Sequence, residues 1–381
     1  MRNTVITGVC LALSLGAPQA YAQLAVSSND HKIVQENGVN RNLPNPPPDT
    51  VTIMDLGALP VKVVGTVSNV PGSVVGPPLS VAITPDESIA LIASSSKIDP
   101  ADPTKLVPDD RVTVIDLKDR KILGTLNTGP GAAGISITKD GKRAYVANRM
   151  AGSISILSID GKDVKLVKTV PLMDAKTLLS HLAVSPDGAT GVATRNGDAK
   201  VELMKLGGDN ITSSSVLDVA PRPYAVSVTP DSKTAVVASL GDPKANGILT
   251  VIDLATGKIV GTTDIGHENL EGMMMSSDGR WIAAVAHAGS TRPKDAPQFK
   301  PNGMVVLYKL DGTGLTKTGE APIGGWSQGA SFSRDGSAIV VQNMNEKNLQ
   351  VFKNDNGKLT DTGQKIDVGG GAAAVRSSTD R

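Results

Sequence analysis

Short apolar runs, cut by turns in which Asp sits beside Pro, Gly or Ser, recur along most of this chain. Residues 81–83 lead into Thr84-Pro85-Asp86, residues 135–137 into Lys139-Asp140-Gly141, and residues 183–184 into Pro186-Asp187-Gly188. Further copies follow at Pro230-Asp231-Ser232, Ser277-Asp278-Gly279 and Arg334-Asp335-Gly336. The six aspartates are spaced by 54, 47, 44, 47 and 57 residues, a repeat of one supersecondary unit. After each turn comes a second run such as residues 144–148 or 235–238, then a third ending near Asp, such as 112–117 or 249–254, and a fourth such as 258–262. Runs this short, rich in Val and Ile and separated by tight turns, predict four antiparallel strands per repeat.

The chain ends complete the pattern. Residues 24–29, 51–56 and 63–67 match a second, third and fourth strand with no first strand before them, while residues 371–375 match a first strand with none after it. Pairing the last strand with the first three makes a seventh sheet and leaves no free edge in the ring. The predicted fold is therefore all-β, a seven-bladed β-propeller closed between its termini, in a single domain over residues 23–381.

Composition fits thin sheets and many turns, with 40 Gly, 24 Pro and nine aromatic residues in 381. Lys plus Arg total 38 against 37 Asp plus Glu, which gives no pull toward nucleic acid or anionic lipid. Arg2, the apolar stretch 5–16 and Ala20-Tyr21-Ala22 read as a secretory leader of residues 1–22, cleaved near Ala22, so a periplasmic or secreted protein without a membrane span is expected. The only cysteine, Cys10, lies in that leader, and the mature chain has neither disulfide nor thiol chemistry available.

The stretch Gly-Ile-Ser-Ile-Thr-Lys-Asp-Gly-Lys-Arg-Ala-Tyr-Val-Ala-Asn at 134–148, followed by Ser-Ile-Ser-Ile-Leu at 153–157, resembles the YVTN-type seven-bladed propeller repeat, related to lactonase-like propellers. The resemblance implies that each first strand lines a central channel and that loops before first strands and after second strands share one face. Three long loops, 30–50, 97–111 and 288–303, would rise there, and long loops on a rigid scaffold are frequent carriers of function.

That face collects the candidate chemistry. His31, His181, His267 and His287 all map to it, and with Glu268 they are candidate ligands for a divalent metal, although separate polar roles are the stronger reading of their spacing. His267, Glu271 and His181 are the acid-base candidates at the channel mouth. Arg149, Arg195, Arg222, Tyr224 and Gln328 would make a mouth receptive to a carboxylate, lactone or phosphate, or else bridge blades. The Asp turns read as backbone caps, and Met273, Met274 and Met275 as packing. The expectation is an exported, monomeric propeller that binds a small ligand or a partner protein on its loop-rich face. The alternatives are a lactonase-like hydrolase or lyase, with or without a metal, and a partner subunit of a periplasmic redox system.

Overall fold

The repeated turn is the local unit from which the fold grows. In the turn after residues Ala132–Ile137, the Thr138 hydroxyl donates to Asp140 Oδ1 at 2.6 Å and the Lys142 N–H donates to the same oxygen at 3.1 Å. Thr229 with Asp231, Ser276 with Asp278 and Ser333 with Asp335 repeat the hydroxyl bond at 2.6 Å. The residue after Asp takes the left-handed conformation, with φ of 72° at Gly141 and 75° at Gly279, and even Glu87 and Ser232 adopt it at 58° and 61°.

These bonds pull all six carboxyls below the ordinary Asp range. The hydroxyl bond is the largest cause at Asp140, Asp187 and Asp231, while at Asp86, Asp278 and Asp335 burial pushes upward and is outweighed. A carboxyl with a lowered folded-state pKa contributes stability that is full above the unfolded value near 3.8 and is lost as pH falls through the folded value. Stability to urea is expected to decline below about pH 4, and Thr138→Val to cost about 1 kcal/mol at pH 7, measured by equilibrium unfolding.

The computed structural model describes residues 23–380, and the expected leader lies outside them. Seven four-stranded antiparallel sheets form the blades. Blade 1 has Gly371–Ser377 innermost, then Leu24–Asp30, Thr50–Asp55 and Lys62–Ser68. The inner strands of blades 2 to 7 are Val81–Ile83, Ala132–Ile137, Leu179–Val184, Pro223–Val228, Leu270–Met275 and Ser327–Phe332. The ring closes as the termini predict, with Ala25 opposite Ser377 and Asp30 opposite Gly371.

The core lies between blades rather than in one centre. Val26, Ile53, Val81, Ile92 and Ala374 pack across the seam of blades 1 and 2, and Phe332, Phe352, Trp281 and Tyr308 across blades 6 and 7. Of the three long loops, the first two fold into hairpins, Ile33–Glu36 with Val39–Asn42 and Ser96–Ile98 with Leu106–Pro108. Ile33, Val74 and Leu106 pack with Trp326, Met344 and Ala373, which fastens both hairpins over blades 7, 1 and 2. Among the described residues no helix is long and apolar enough to cross a membrane.

Candidate functional site

Entry to the channel is shaped by a device that recurs around the ring. Leu178, Arg222, Asn269 and Trp326 each precede an inner strand in the left-handed conformation, with φ of 49°, 58°, 54° and 49°. The strand that follows then breaks register near its start in blades 3 to 7, and blade 1 breaks register beside Ala373. Such bulges insert a residue out of the pleat and re-aim its side chain. Ser180, Tyr224, Glu271 and Gln328 occupy these positions on four consecutive blades.

Glu271 is 7% exposed and His287, at the end of the adjacent second strand, 6%. Their nearest atoms, Glu271 Oε2 and His287 Nε2, are 3.8 Å apart, too far for a direct hydrogen bond. His287 Nε2 is buried with no partner among the described residues. Burial pushes the Glu271 carboxyl up to about 7, against the pull of the Arg222 and Arg149 guanidiniums. Burial also drives the His287 imidazole down to about 4, opposed by a hydrogen bond to the Ser327 backbone. At neutral pH the pair is therefore a half-ionised carboxyl facing a neutral ring, close but not directly hydrogen-bonded.

The arginines frame this pair as fixed posts. Arg149 Nη1 donates to the Leu178 carbonyl at 3.0 Å and to the Ser180 hydroxyl, and Nη2 donates to Asn196 Oδ1 at 3.0 Å, tying blade 3 to blade 4. Its guanidinium lies 5.3 Å from the centre of the Tyr224 ring. Arg222 Nε donates to the Gly241 carbonyl at 2.6 Å and Nη2 to Asn269 Oδ1 at 2.8 Å, tying blade 5 to blade 6. Both thus bridge blades and bring positive charge to Glu271. Arg195 is different, because ion pairs with Asp198 and, at 2.9 Å, with Glu202 neutralise it. Gln328 Nε2 donates to the Trp326 carbonyl at 3.2 Å, leaving its buried Oε1 unpartnered.

The four histidines do not converge. His31 lies beside Thr50 and Gly370 over blade 1, its Nε2 3.4 Å from Thr50 Oγ1. His181 sits inside the channel, fully buried, with Nε2 3.0 Å from Ser136 Oγ. His267 falls within the outer strand Lys258–Glu268, which runs further than the expected loop allowed, and pairs with Glu320 at 2.8 Å on the next blade's outer strand. Glu268 is held by Arg292 from the long third loop, with Nε to Oε1 at 2.8 Å. Among the described residues no group of three His, Cys, Asp or Glu is placed to hold a metal ion, and of the acid-base and metal candidates only Glu271, from the first group, and His287, from the second, come near each other.

The channel also holds two residues that sequence spacing did not single out. Arg376, 3% exposed on the last inner strand, has Nη2 3.4 Å from His181 Nε2 and Nη1 3.8 Å from Met274 Sδ. Asp380 accepts from the Ser331 hydroxyl at 2.7 Å and the Ser377 N–H at 2.8 Å, and burial pushes it up to about 6. A signal did exist: Arg376 and Glu271 are the two ionised-type residues, Lys, Arg, Asp or Glu, on the seven inner strands.

Residues 109–230 match the family model described as lactonase, 7-bladed beta-propeller. That match covers about a third of the chain, and the architecture is that of a seven-bladed β-propeller. The structure of the periplasmic gluconolactonase PpgL of Pseudomonas aeruginosa superposes with a TM-score of 0.68 at 17% identity, covering 93% of this chain and 98% of that one. Hydrazine synthase of Kuenenia stuttgartiensis gives a TM-score of 0.63 at 18% identity, over 81% of this chain and 91% of that one. At these identities both likenesses speak for the fold alone. Dihydro-heme d1 dehydrogenase of Pseudomonas aeruginosa is 26% identical over 215 residues, and the match spans 54% of this chain and 42% of that relative.

Proposed function

We propose that this chain is an exported hydrolase that opens the ring of a small lactone at the channel mouth. The observation that carries the proposal is the buried Glu271 and His287 pair, 3.8 Å apart and flanked by two pinned arginines. The family model and the likeness to a gluconolactonase support the same reading. His287, neutral at pH 7, accepts a hydrogen bond from the water and orients it. Ionised Glu271 takes the water's proton while the oxygen adds to the lactone carbonyl carbon. The positive ends of Arg149 and Arg222 favour the oxyanion that develops. As it collapses, the ring C–O bond breaks and the ring oxygen takes the proton back from Glu271, leaving a hydroxy acid that ionises in water. The leader expected from the sequence and the periplasmic location given for PpgL support periplasmic residence as part of this reading.

A panel of five- and six-membered sugar-acid lactones, corrected for spontaneous opening, tests the reading. Turnover is expected to survive chelator, since two donors do not make a metal site, and to fall about a hundredfold in His287→Ala as the water loses its acceptor. No enzymatic turnover of any lactone would overturn the proposal. A cytochrome or quinoprotein retained by the inactive chain would then favour a redox partner subunit, the second reading, which rests on the likeness to dihydro-heme d1 dehydrogenase.

A further inference from the structure

A cavity of about 340 Å3 opens on the same face, over the seam of blades 7 and 1, and the lactone chemistry above makes no use of it. Three segments far apart in sequence each bring one basic side chain to its wall: His31 from blade 1, Lys294 from the long third loop, and Lys347 from the turn of blade 7. None of the three forms an ion pair among the described residues.

The nearby acids are already occupied. Asp30 accepts from the Lys32 N–H at 2.7 Å and the Val74 N–H at 2.9 Å, and its carboxylate lies 3.1 Å from Lys32 Nζ. Asp49 takes the Lys32 ammonium at 2.5 Å and the His31 N–H at 2.9 Å. Glu346, beside Lys347 in sequence, turns to the Gly325 N–H at 3.0 Å. Lys294 and Lys347 therefore face the cavity without an ion-pair partner among the described residues, while Asp30, which also lines it, is engaged by Lys32 and the Val74 N–H.

Its backbone is built close and held. A side chain at Gly370 would put its Cβ 2.5 Å from the His31 ring, and one at Gly371 would meet Met344 Sδ at 2.0 Å, so main chain forms the floor. The Lys294 N–H donates to Asn37 Oδ1 at 2.7 Å, which clamps the long loop to the tip of the first hairpin. Lys347 sits in the left-handed conformation at φ 55°, its N–H 3.3 Å from the Met344 carbonyl. Ile33, Leu43, Pro47 and Met344 supply an apolar side. The lining is thus about half polar and half apolar, and the volume is above the roughly 300 Å3 that is the usual lower size of a small-molecule site.

We propose that this rim cavity binds a small molecule presenting an oxyanion, phosphate, sulfate or carboxylate, on a partly apolar body. The probes are inorganic phosphate, inorganic sulfate and a small dicarboxylate, titrated into the full mature chain by calorimetry and by thermal shift at fixed ionic strength. Saturable binding is expected for at least one probe, weakened about tenfold or more in Lys294→Ala/Lys347→Ala, because each lysine removed takes away a charged hydrogen-bond donor. A control pair, Lys142→Ala/Lys365→Ala, and Glu271→Gln are expected to bind as the parent does, so the result stands whether or not the lactone reading does. Gly370→Ala, whose methyl meets the His31 ring, serves as a second probe of the floor, with circular dichroism to confirm that it folds. A thermal shift that never saturates, equal binding by the parent and the Lys294/Lys347 pair, or binding lost instead in Glu271→Gln would each overturn the proposal.

Discussion

Glu271→Gln is expected to lower lactone turnover at pH 8 by at least about a hundredfold while raising the melting temperature at that same pH. Both halves follow from one number. The Glu271 carboxyl, ordinarily near 4.5, stands at about 7 in the folded chain because burial outweighs the two arginines. A folded-state pKa above the unfolded value contributes stability that is full below pH 4.5 and is lost as pH rises through 7. Above pH 7 the ionised carboxylate thus costs the fold up to about 3 kcal/mol, and the neutral isosteric amide removes that cost. A gain of a few degrees at pH 8, absent at pH 4.5, is expected by calorimetry. On the proposed lactone chemistry, the parent's kcat/KM should rise with pH through about 7 as the base ionises, and His287, at about 4, adds no inflection in that range. An active variant, or one less stable at pH 8 than the parent, would contradict the assignment of Glu271 as the base.

Seven blades were legible in the sequence because the Asp turn is a local device: a hydroxyl two residues earlier, a carboxylate and a left-handed residue specify it without help from afar. Glu271 was legible for a related reason, since a carboxylate at the start of an apolar inner strand conflicts with its surroundings. Its partner was not separable from the other histidines. Loop position assigns a residue to a face of the ring, but depth and angle around the axis depend on strand length and bulges. The outer strand of blade 5 extends to Glu268, which carries His267 to the rim, while His181 drops into the channel. Arg195 reads in sequence as either an anion ligand or a bridge between blades, and instead Asp198 and Glu202 of its own blade both reach it. Reading the last strand only to Val375 missed Arg376, one residue beyond, which is the charged centre of the channel.

Deleting that last strand, residues 371–380, is expected to abolish cooperative folding altogether. The strand pairs with Leu24–Asp30 over most of its length, and Ala372, Ala373, Ala374 and Val375 are buried at 0 to 1% exposure against blades 1, 2 and 7. Its removal exposes that apolar surface and an unpaired edge together, and no cysteine stands in residues 23–380 to hold the ring by other means. A loss of more than about 5 kcal/mol equals most of the stability a folded domain possesses. Aggregation on expression, or a broad unfolding curve without a pretransition baseline, is the expected readout. Two comparisons assign the loss to strand pairing. Arg376→Met, which removes a buried guanidinium with no carboxylate within ion-pair distance among the described residues, is expected to be neutral or stabilising. A peptide of residues 369–380 added to the truncated chain should restore part of the cooperative transition, because the edge it completes is the one the truncation opens. A truncated chain that melts as sharply as the parent would mean that the ring closes without its Velcro strand, and the seam between the termini would lose its place as the main restraint on the fold.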